Sequence, residues 1–464
     1  MNFNYNKSKD TIVAQATPPG YGGISVIRIS GERTSQVAEQ VLGKLPCPRY
    51  ADYLSFYDEK GRIIDKGITL WFPAPYSFTG ENVLELHSHG SPIIVNMLLK
   101  IISNIPEVRI AKPGEFTERA FLNKKIDLVQ VEAIADLINA TSEQAARSAF
   151  NSLQGIFSDK IRFLANLLTD LRTDLESAIN FPTEDDVNYL SKNQIDHDLN
   201  KIIKILKEVH AVSFQGALLR EGRKAVIIGA PNVGKSTIFN LLVGKPIAIV
   251  ADHVGTTRDM LHEYINIEGM PLHIIDTAGL HKTNNIVELI GIERAIQEIK
   301  TADHIILVVN NQLLDLTADL SFILPDFFDK IPRSIPLTIV NNLTDIKTPL
   351  SSKLIRLSDR VIINIYAKTG EGIELLRCHL KKSMGMVNTT EGVFMARQRH
   401  LQALSFAMLH LEQGKQEFIK NSCYSYELLA EELRLTQEAL SNIVGEFSSK
   451  DLLEKIFSKF CIGK

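Results

Sequence analysis

The residues of this chain best suited to chemistry lie in the segment Gly229-Ala-Pro-Asn-Val-Gly-Lys-Ser-Thr237. The G-x-x-x-x-G-K-[ST] spacing is that of a P-loop, whose backbone N–H groups wrap around the phosphates of a nucleotide. Lys235 can reach the β- and γ-phosphates, and the hydroxyl of Ser236 suits Mg²⁺. The pattern predicts a nucleotide site formed by Asn232, Val233, Gly234, Lys235, Ser236 and Thr237.

Two further segments supply what such a site needs around Mg²⁺ and the γ-phosphate. A buried run beginning at Pro271 ends in Asp276-Thr-Ala-Gly279, whose carboxylate can hold Mg²⁺ through water. The N–H of Gly279 can contact the γ-phosphate, so Thr277 and Ala278 are expected in the same site. Upstream, Thr257 offers a second hydroxyl ligand for Mg²⁺.

The choice of base rests on the segment from Asn341 to Asp345. Guanine presents N1–H and an exocyclic amine side by side, and one carboxylate accepts both, whereas adenine has no N1–H. The N-x-x-D spacing of Asn342 and Asp345 therefore predicts GTP over ATP, although Leu343 stands where the usual motif has lysine. The predicted base contacts are Asn342, Leu343, Thr344 and Asp345, with Tyr366, Ala367 and Lys368 resembling the supporting Ser-Ala-Lys loop.

Hydrolysis needs a group that orients the attacking water, and the usual residue for this is absent. Leu280 follows Gly279 where many GTPases carry glutamine, and leucine cannot orient water. Asn232 can instead coordinate a monovalent cation in the place of an arginine finger. Glu288 can act through a bridging water, but a glutamate in the first turn of a helix is an equally good interpretation of that residue.

The elements that must position these motifs are indicated by the apolar patterns. The run 225–228 predicts a strand before the P-loop, and 238–242 predicts the start of a helix after it. Further strand-like runs, 305–309 and 337–340, complete the alternation that a mainly parallel α/β sheet requires. Residues 216–384 are therefore predicted to form a GTPase domain.

The flanking segments have different patterns. Residues 1–124 combine strand-like runs with one helical stretch, an α+β pattern. Residues 125–215 and 385–464 have helical spacing, and one of these helices should end before Pro182. The simplest architecture is multidomain: an α+β N-terminal domain, an all-α helical domain built from both helical segments, and an inserted α/β P-loop GTPase domain.

Length and composition are those of an ordinary globular protein. The chain of 464 residues predicts about three domains. Its net charge of −3 implies that any RNA contact uses local patches. The four cysteines form no C-x-x-C pair, which argues against a structural zinc site and fits a reducing cytosol. Because no signal peptide and no apolar run of about 20 residues is present, a cytoplasmic protein without a membrane segment is expected.

A few residues outside the nucleotide domain invite a functional interpretation. Glu85, His87 and His89 alternate along a strand end and share a face, so a metal site is conceivable, although we favour a polar strand edge. Arg28 lies among apolar neighbours and is expected at the surface or rim. Cys461 lies close to the C-terminus; the pattern favours a frayed tail but leaves an active-site role open.

The chain resembles the MnmE (TrmE) family of tRNA modification GTPases over essentially its whole length. The segments that carry the resemblance are Ala14-Gln-Ala-Thr-Pro-Pro-Gly20 with Gly22-Gly23, Arg28-Ile-Ser-Gly31, Pro113-Gly-Glu-Phe-Thr-Glu-Arg-Ala-Phe-Leu-Asn123, Gly255-Thr-Thr-Arg-Asp259, Asp276-Thr-Ala-Gly-Leu280 and the terminal Cys461-Ile-Gly-Lys464. Together these segments are highly specific.

The resemblance implies a folate-binding N-terminal domain that also forms a homodimer, and GTP hydrolysis stimulated by K⁺. It implies a heterotetramer with the FAD-dependent protein MnmG. Together the two proteins would add an aminomethyl or carboxymethylaminomethyl group to C5 of the wobble uridine of certain tRNAs. A 5-formyl- or methylene-tetrahydrofolate would donate the one-carbon unit.

The resemblance also assigns roles to single residues. Arg28, Glu85, Lys125 and Lys464 match folate contacts, which reverses the first interpretation of Arg28. Glu288 matches the hydrolytic glutamate, and Cys461 matches the cysteine tied to tRNA modification. The ion ligands would be Ser236 and Thr257 for Mg²⁺, and Asn232 with backbone groups of Ala251, His253 and Thr256 for K⁺. The loop Ala251, Asp252, His253, Val254, Gly255, Thr256 and Thr257 would line GTP.

The chain departs from the family pattern at Leu343 and Tyr366, which puts normal guanine affinity in doubt, and at Tyr21 near the folate region.

Two alternatives stay open. A ribosome-assembly GTPase of the Era or Der type has the same P-loop but places its GTPase domain near the N-terminus, whereas here residues 1–215 precede that domain and no Gly-x-x-Gly RNA clamp is evident after it. A GTP-gated assembly module would have no chemistry of its own, and replacing Cys461 would distinguish it from an enzyme.

Overall fold

The computed structural model describes residues 10–180, 192–244, 261–267, 269–277, 286–310, 330–343, 354–357, 360–386, 393–420, 425–445, 456–457, 460 and 463. The chain divides into two compact units. The first comprises residues 1–135, 152–203 and 403–464, and the second comprises residues 136–151 and 204–402. Among the described residues, no helix is long and apolar enough to cross a membrane.

The first unit contains a six-stranded sheet with the order β3-β4-β5-β2-β1-β6. Its neighbouring strands are antiparallel except for β1 and β6, which run parallel. The elements are β1 Thr11–Gln15, β2 Gly22–Ser30, α1 Thr34–Leu42, β3 Asp52–Tyr57, β4 Ile63–Phe72, β5 Val83–Gly90, α2 Pro92–Ser103, β6 Val108–Ile110 and α3 Glu115–Leu122.

The two faces of this sheet differ in chemistry because side chains alternate along each strand. Val13, Ile27 and Leu86 lie on the face that packs against α1 and α2, in one buried cluster. On the opposite face, strand register places Ala14 beside Arg28, and Arg28 beside Glu85. A half-buried pair of opposite charges therefore lies on the opposite face of the sheet, beside a smaller buried cluster that includes Ala14 and Phe116.

Helices complete the first unit and extend into the second: α4 Leu128–Ile138, α5 Glu143–Leu153, α6 Ile156–Asn180, α7 Lys192–Glu221, α11 Gln398–Ile419 and α12 Ser425–Val444. Helices α6 and α12 pack together, and Arg172 Nη1 donates to Gln437 Oε1 at 2.8 Å across them. Near the C-terminus, Phe457 and Phe460 pack on Leu128. The described part of α6 reaches Asn180, and the break predicted at Pro182 lies outside the described residues.

The second unit contains a seven-stranded sheet with the order β12-β13-β11-β10-β7-β9-β8. Its five central strands are parallel, and the edge strands β8 and β12 are antiparallel to their neighbours. The elements are β7 Arg223–Ile228, α8 Lys235–Val243, β8 Leu261–Ile267, β9 Met270–Asp276, α9 Ile286–Lys300, β10 His304–Asn310, β11 Leu337–Asn342, β12 Leu354–Leu357, β13 Arg360–Ile365 and α10 Ile373–Ser383. This confirms the predicted mainly parallel α/β sheet.

The core of the second unit also takes in residues from the helical segments. Ala145 and Ala149 of α5 lie in one buried cluster with Ile267, Met270 and other residues of the sheet and its helices. Gly216 of α7 packs against the carbonyl of Phe394, an approach that a Cβ would prevent. These contacts were not predicted, because the helical periodicity of these segments does not say which element their apolar faces meet.

A buried histidine of this unit supports a prediction about pH. His304 Nε2 lies 2.8 Å from Thr338 Oγ1, which lies 2.8 Å from His379 Nε2, while Ser383 Oγ lies 3.4 Å from His304 Nδ1. Burial, together with the nearby His379, lowers the pKa of His304 to about 4. The neutral imidazole therefore belongs to the folded state at neutral pH.

Because an unfolded histidine has a pKa of about 6.5, the unfolded chain binds the proton first, and stability falls as pH drops from about 6.5 to 4, by about 3 kcal/mol in total. We expect the melting temperature of the wild type to fall more steeply than that of His304→Gln between about pH 7 and pH 5. Thermal unfolding followed by circular dichroism measures this, with the exposed-site variant His197→Gln as control. Equal slopes for wild type and His304→Gln would contradict the prediction.

Candidate functional site

The P-loop lies where the sequence predicts it, between the carboxyl end of β7 and the first turn of α8. Gly234 caps the helix in the left-handed region, with φ 96°, and Asn232 also has a positive φ, 63°. A Cβ at Gly229 would overlap the carbonyl of Val308, and one at Gly234 would overlap the side-chain amide of Asn342. Glycine is therefore required at both ends of the turn, and the N–H groups of α8 point toward the loop.

Lys235 is a buried cation whose amine is held by the loop itself. Its Nζ donates to the carbonyl oxygens of Ala230 at 2.9 Å and Gly229 at 3.3 Å. Burial lowers its pKa, and the charge of Asp276 opposes that shift. An ammonium group in this position is suited to exchanging carbonyl oxygens for the oxygens of a phosphate.

Ser236, a predicted Mg²⁺ ligand, lies beside Asp276, which is predicted to hold Mg²⁺ through water. Ser236 Oγ donates to Asp276 Oδ2 at 2.7 Å, and Asp276 is the last residue of β9. Burial raises the pKa of Asp276. The hydrogen bond from Ser236 and the charge of Lys235 act in the opposite direction and lower it. Among the described residues, Asp276 Oδ1 is buried without a hydrogen-bond partner. A hydroxyl beside an unpaired carboxylate oxygen fits a hard cation that keeps several of its waters.

Asn342, which is predicted to contact the base, forms side-chain hydrogen bonds to two other loops. Its Nδ2 donates to the carbonyl of Val233 at 2.9 Å, and its Oδ1 accepts from the N–H of Ala367 at 3.2 Å. The N–H of Leu343 donates to the carbonyl of Ile365 at 2.8 Å, and the Leu343 side chain is buried. The loops after β7, β11 and β13 therefore meet at one edge of the sheet, as parallel strands require.

Several predicted residues lie outside the described part of the chain. Glu288 falls in the first turn of α9, and nothing is described of its side chain. The others are Ala251, Asp252, His253, Val254, Gly255, Thr256, Thr257, Ala278, Gly279, Thr344, Asp345, Cys461 and Lys464. The described nucleotide site thus consists of residues 232–237, 276–277, 342–343 and 366–368.

A second candidate site lies on the sheet of the first unit. Arg28 Nε donates to Glu85 Oε1 at 2.8 Å, and the guanidinium lies 5.5 Å from the ring centre of Phe78 and 5.9 Å from that of Phe116. The pKa of Glu85 is lowered from its usual value. The neighbouring His87 lowers it most, burial acts in the opposite direction, and the charge of Arg28 lowers it further. Glu85 is therefore a carboxylate at neutral pH.

The histidines near this pair have separate environments. His87 Nε2 lies 3.6 Å from Glu85 Oε2 and has no hydrogen-bond partner in the described part of the chain. His89 instead pairs with Asp65 at 2.7 Å. Glu85, His87 and His89 do not form a three-ligand cluster, and no group of three or more metal-binding side chains occurs among the described residues. A polar ligand beside Glu85 would give this buried nitrogen of His87 the hydrogen bond that it lacks among the described residues.

The C-terminus reaches the same sheet. Gly463 has φ 100°, and a Cβ there would overlap the carbonyl of Gln15 at the end of β1. Gly114 similarly approaches Phe457 and Phe460 too closely for a side chain. Lys125 Nζ donates to the carbonyl of Pro75 at 3.1 Å. The terminal segment is thus packed against the first unit at its described positions, which the frayed-tail interpretation does not predict.

Comparison with known proteins covers almost the whole chain. The family model "MnmE helical domain" matches residues 128–461, and "GTP-binding protein TrmE N-terminus" matches residues 11–125. The chain is 56% identical to a tRNA modification GTPase MnmE from Erwinia tasmaniensis over 98% of its own length and 99% of the relative's. It is 55% identical to one from Pectobacterium carotovorum over the same shares.

The chain belongs to the MnmE family. Family membership confirms the predicted multidomain fold class, with its N-terminal, helical and P-loop GTPase parts, and it excludes the Era or Der assignment for the whole chain. The crystal structure of Aquifex aeolicus Era bound to GDP and AlF₄⁻ is 22% identical, with a TM-score of 0.28, over 40% of this chain and 66% of that one. That likeness is too weak to say more about this MnmE-family member.

The close approach of Gly234 to Asn342 supports a prediction for nucleotide affinity. In Gly234→Ala the new methyl group would meet the Asn342 amide and force a strained φ, at about 1–3 kcal/mol. We expect GDP to bind roughly 5- to 150-fold more weakly, measured by titration of a fluorescent GDP analogue. Gly244→Ala, at the other end of α8, is the matched control, because it also has a positive φ, 67°, but a Cβ there would meet no described atom closer than Arg377 at 3.7 Å. Unchanged affinity in Gly234→Ala would contradict this account of the loop.

Proposed function

We propose that this MnmE-family protein is a K⁺-stimulated GTPase that acts in tRNA wobble-uridine modification. With the FAD-dependent partner MnmG, in a heterotetramer, it would add an aminomethyl or carboxymethylaminomethyl group at C5 of the uridine. The observation that carries the GTPase part is the meeting of the P-loop, Asp276 and Asn342 at one edge of the sheet. The relatives named above as tRNA modification GTPases support the choice of substrate.

The described residues divide the work of binding GTP. Lys235 would contact the β- and γ-phosphates, while the N–H groups of the loop and of α8 surround them. Ser236 and Asp276, with Thr257, would hold Mg²⁺, which when bound neutralises the charge of the phosphates. Asn342 keeps the base-binding loops together, and Asp345 would accept from guanine N1–H and N2–H.

Hydrolysis in this proposal relies on Glu288 and on K⁺. Asn232 would hold K⁺ with backbone groups of Ala251, His253 and Thr256, and a bound K⁺ supplies the positive charge that an arginine finger supplies elsewhere. Asn232 has the side chain and the exposed position that such a ligand needs. Glu288 would orient the attacking water through a bridging water, since Leu280 cannot.

The folate part of the proposal rests on the first unit. Arg28, Glu85, Lys125 and Lys464 would bind 5-formyl- or methylene-tetrahydrofolate. Glu85 is an acceptor for the N–H groups of a pterin, and the unpaired His87 nitrogen beside it offers a further polar contact. The packing of Gly463 on Gln15 supports a role for the neighbouring Cys461 at this domain rather than in a free tail.

The organisation of the assembly is also proposed on the family resemblance. A homodimer would form through the N-terminal domain, and the protein would work in the cytoplasm. The three domains would comprise residues 1–124, residues 125–215 with 385–464, and residues 216–384. The two compact units of the structure do not test these boundaries, because each unit mixes helical segments with a sheet.

The cation requirement can be tested with a variant that preserves the loop. Asn232→Gly keeps a residue that tolerates the observed φ of 63° but removes the amide ligand. We expect the wild type to hydrolyse GTP much faster in K⁺ than in Na⁺ buffer, and Asn232→Gly to lose this difference while still binding GDP. ATP serves as the control substrate. Equal wild-type rates in the two buffers would exclude the proposed K⁺ site.

The folate site can be tested by direct binding. Glu85→Gln retains the size of the side chain but removes the charge that pairs with Arg28. We expect 5-formyltetrahydrofolate to bind at least about tenfold more weakly in calorimetric titration, since a charged hydrogen bond contributes about 1.5–3 kcal/mol. Glu39→Gln, on the exposed side of α1, is the control. Wild-type affinity in Glu85→Gln would rule out this site.

A further inference from the structure

Three aromatic rings line the antiparallel pair β8 and β9 of the second unit. Tyr264 on β8 is directly opposite His273 on β9. His262 lies two residues before Tyr264, so its side chain is on the same face of β8. Because β8 is the edge strand of the sheet, this group is open to solvent, and Tyr264 is 71% exposed. None of the three residues belongs to the GTP or folate sites proposed above.

The two histidines bring ring nitrogens together. His262 Nδ1 and His273 Nε2 are 3.4 Å apart. Two Zn–N bonds of about 2.0–2.1 Å at a tetrahedral angle place their nitrogens about 3.3–3.4 Å apart. We propose that His262 and His273 bind a divalent transition metal ion of the Zn²⁺ class, with water in the remaining coordination positions.

The surroundings favour neutral imidazole, the form that binds metal. The pKa of His273 is lowered by burial, then by His262 and Lys224, while Glu298 opposes the shift. Lys224 forms an ion pair with Glu298. The carboxylate of Glu298 therefore offsets the positive charge of Lys224 near the proposed ion. The Tyr264 ring stacks on His273 at 4.4 Å and 7°, which restricts the orientation of the imidazole.

A structural zinc site normally has four protein ligands. Because this site has only two, we expect it to bind the ion with modest affinity. The bound ion would link His262, the second residue of the edge strand β8, to His273 of β9. His273 lies three residues before Asp276. It would therefore stabilise the native state by mass action. This inference does not depend on the proposed function, because neither histidine is assigned to GTP and, in the part of the chain that the structure describes, no hydrogen bond or ring contact joins one to a residue that is.

The test is a titration of the metal-free full-length protein with Zn²⁺ in Mg²⁺-containing buffer, using a chromophoric chelator as competitor. Because Cys47 and Cys378 are exposed thiols that also bind Zn²⁺, the deciding quantity is the difference between variants. We expect His262→Gln and His273→Gln each to lose one equivalent of Zn²⁺, or to bind it at least about tenfold more weakly. His197→Gln, at an exposed position of α7, should match the wild type.

A second measurement separates loss of the ligand from loss of the fold. Without metal, His262→Gln should have the same melting temperature and GTP hydrolysis as the wild type, since His262 is exposed. With Zn²⁺ added, only the wild type and His197→Gln should gain melting temperature from this site. Identical Zn²⁺ binding in the wild type and both variants would overturn the proposal, as would the absence of Zn²⁺ binding by the wild type.

Discussion

The nucleotide site depends on keeping one ammonium group out of water. Lys235 is buried, and its Nζ is held by two carbonyl oxygens of the turn that precedes it. A buried cation is costly unless it is paired or hydrogen-bonded. The turn directs the carbonyls of Gly229 and Ala230 toward Lys235, and it has positive φ at Gly229, Asn232 and Gly234. The backbone shape of the loop and the charge that it encloses are thus matched to each other.

The same constraint links Lys235 to the opposite charge nearby. Burial pushes the pKa of Lys235 down and that of Asp276 up, and each charge opposes the shift of the other. Ser236 adds a hydrogen bond to one carboxylate oxygen and leaves the other unpaired. The residues of the site therefore balance the charges of Lys235 and Asp276 only in part. A phosphate with its bound cation would supply partners to both of these groups. Sites in this condition gain most from binding a ligand of complementary charge.

Much of the nucleotide site was predictable because its residues are local in sequence. The P-loop spacing and Asp276 at a strand end specify their positions through short segments of backbone, and Ser236 Oγ donates to Asp276 Oδ2 where the two segments meet. The Arg28–Glu85 pair required strand register, and the packing of Gly463 on Gln15 joins opposite ends of the chain. No local pattern encodes such contacts, so the residues alone suggested a surface arginine and a frayed tail. Resemblance to a family, rather than periodicity, is what makes Arg28 and the terminal segment candidates for one site.

The replacement of the usual lysine by Leu343 can be understood from the same geometry. The position of this loop depends on backbone and on Asn342: the N–H of residue 343 donates to Ile365, and the Asn342 amide links Val233 to Ala367. None of these bonds uses the side chain at 343. Leu343 is itself buried, which a charged lysine end could not be without a partner. The substitution therefore preserves the loop's framework, and its effect should fall on the strength of base contact rather than on the choice of guanine.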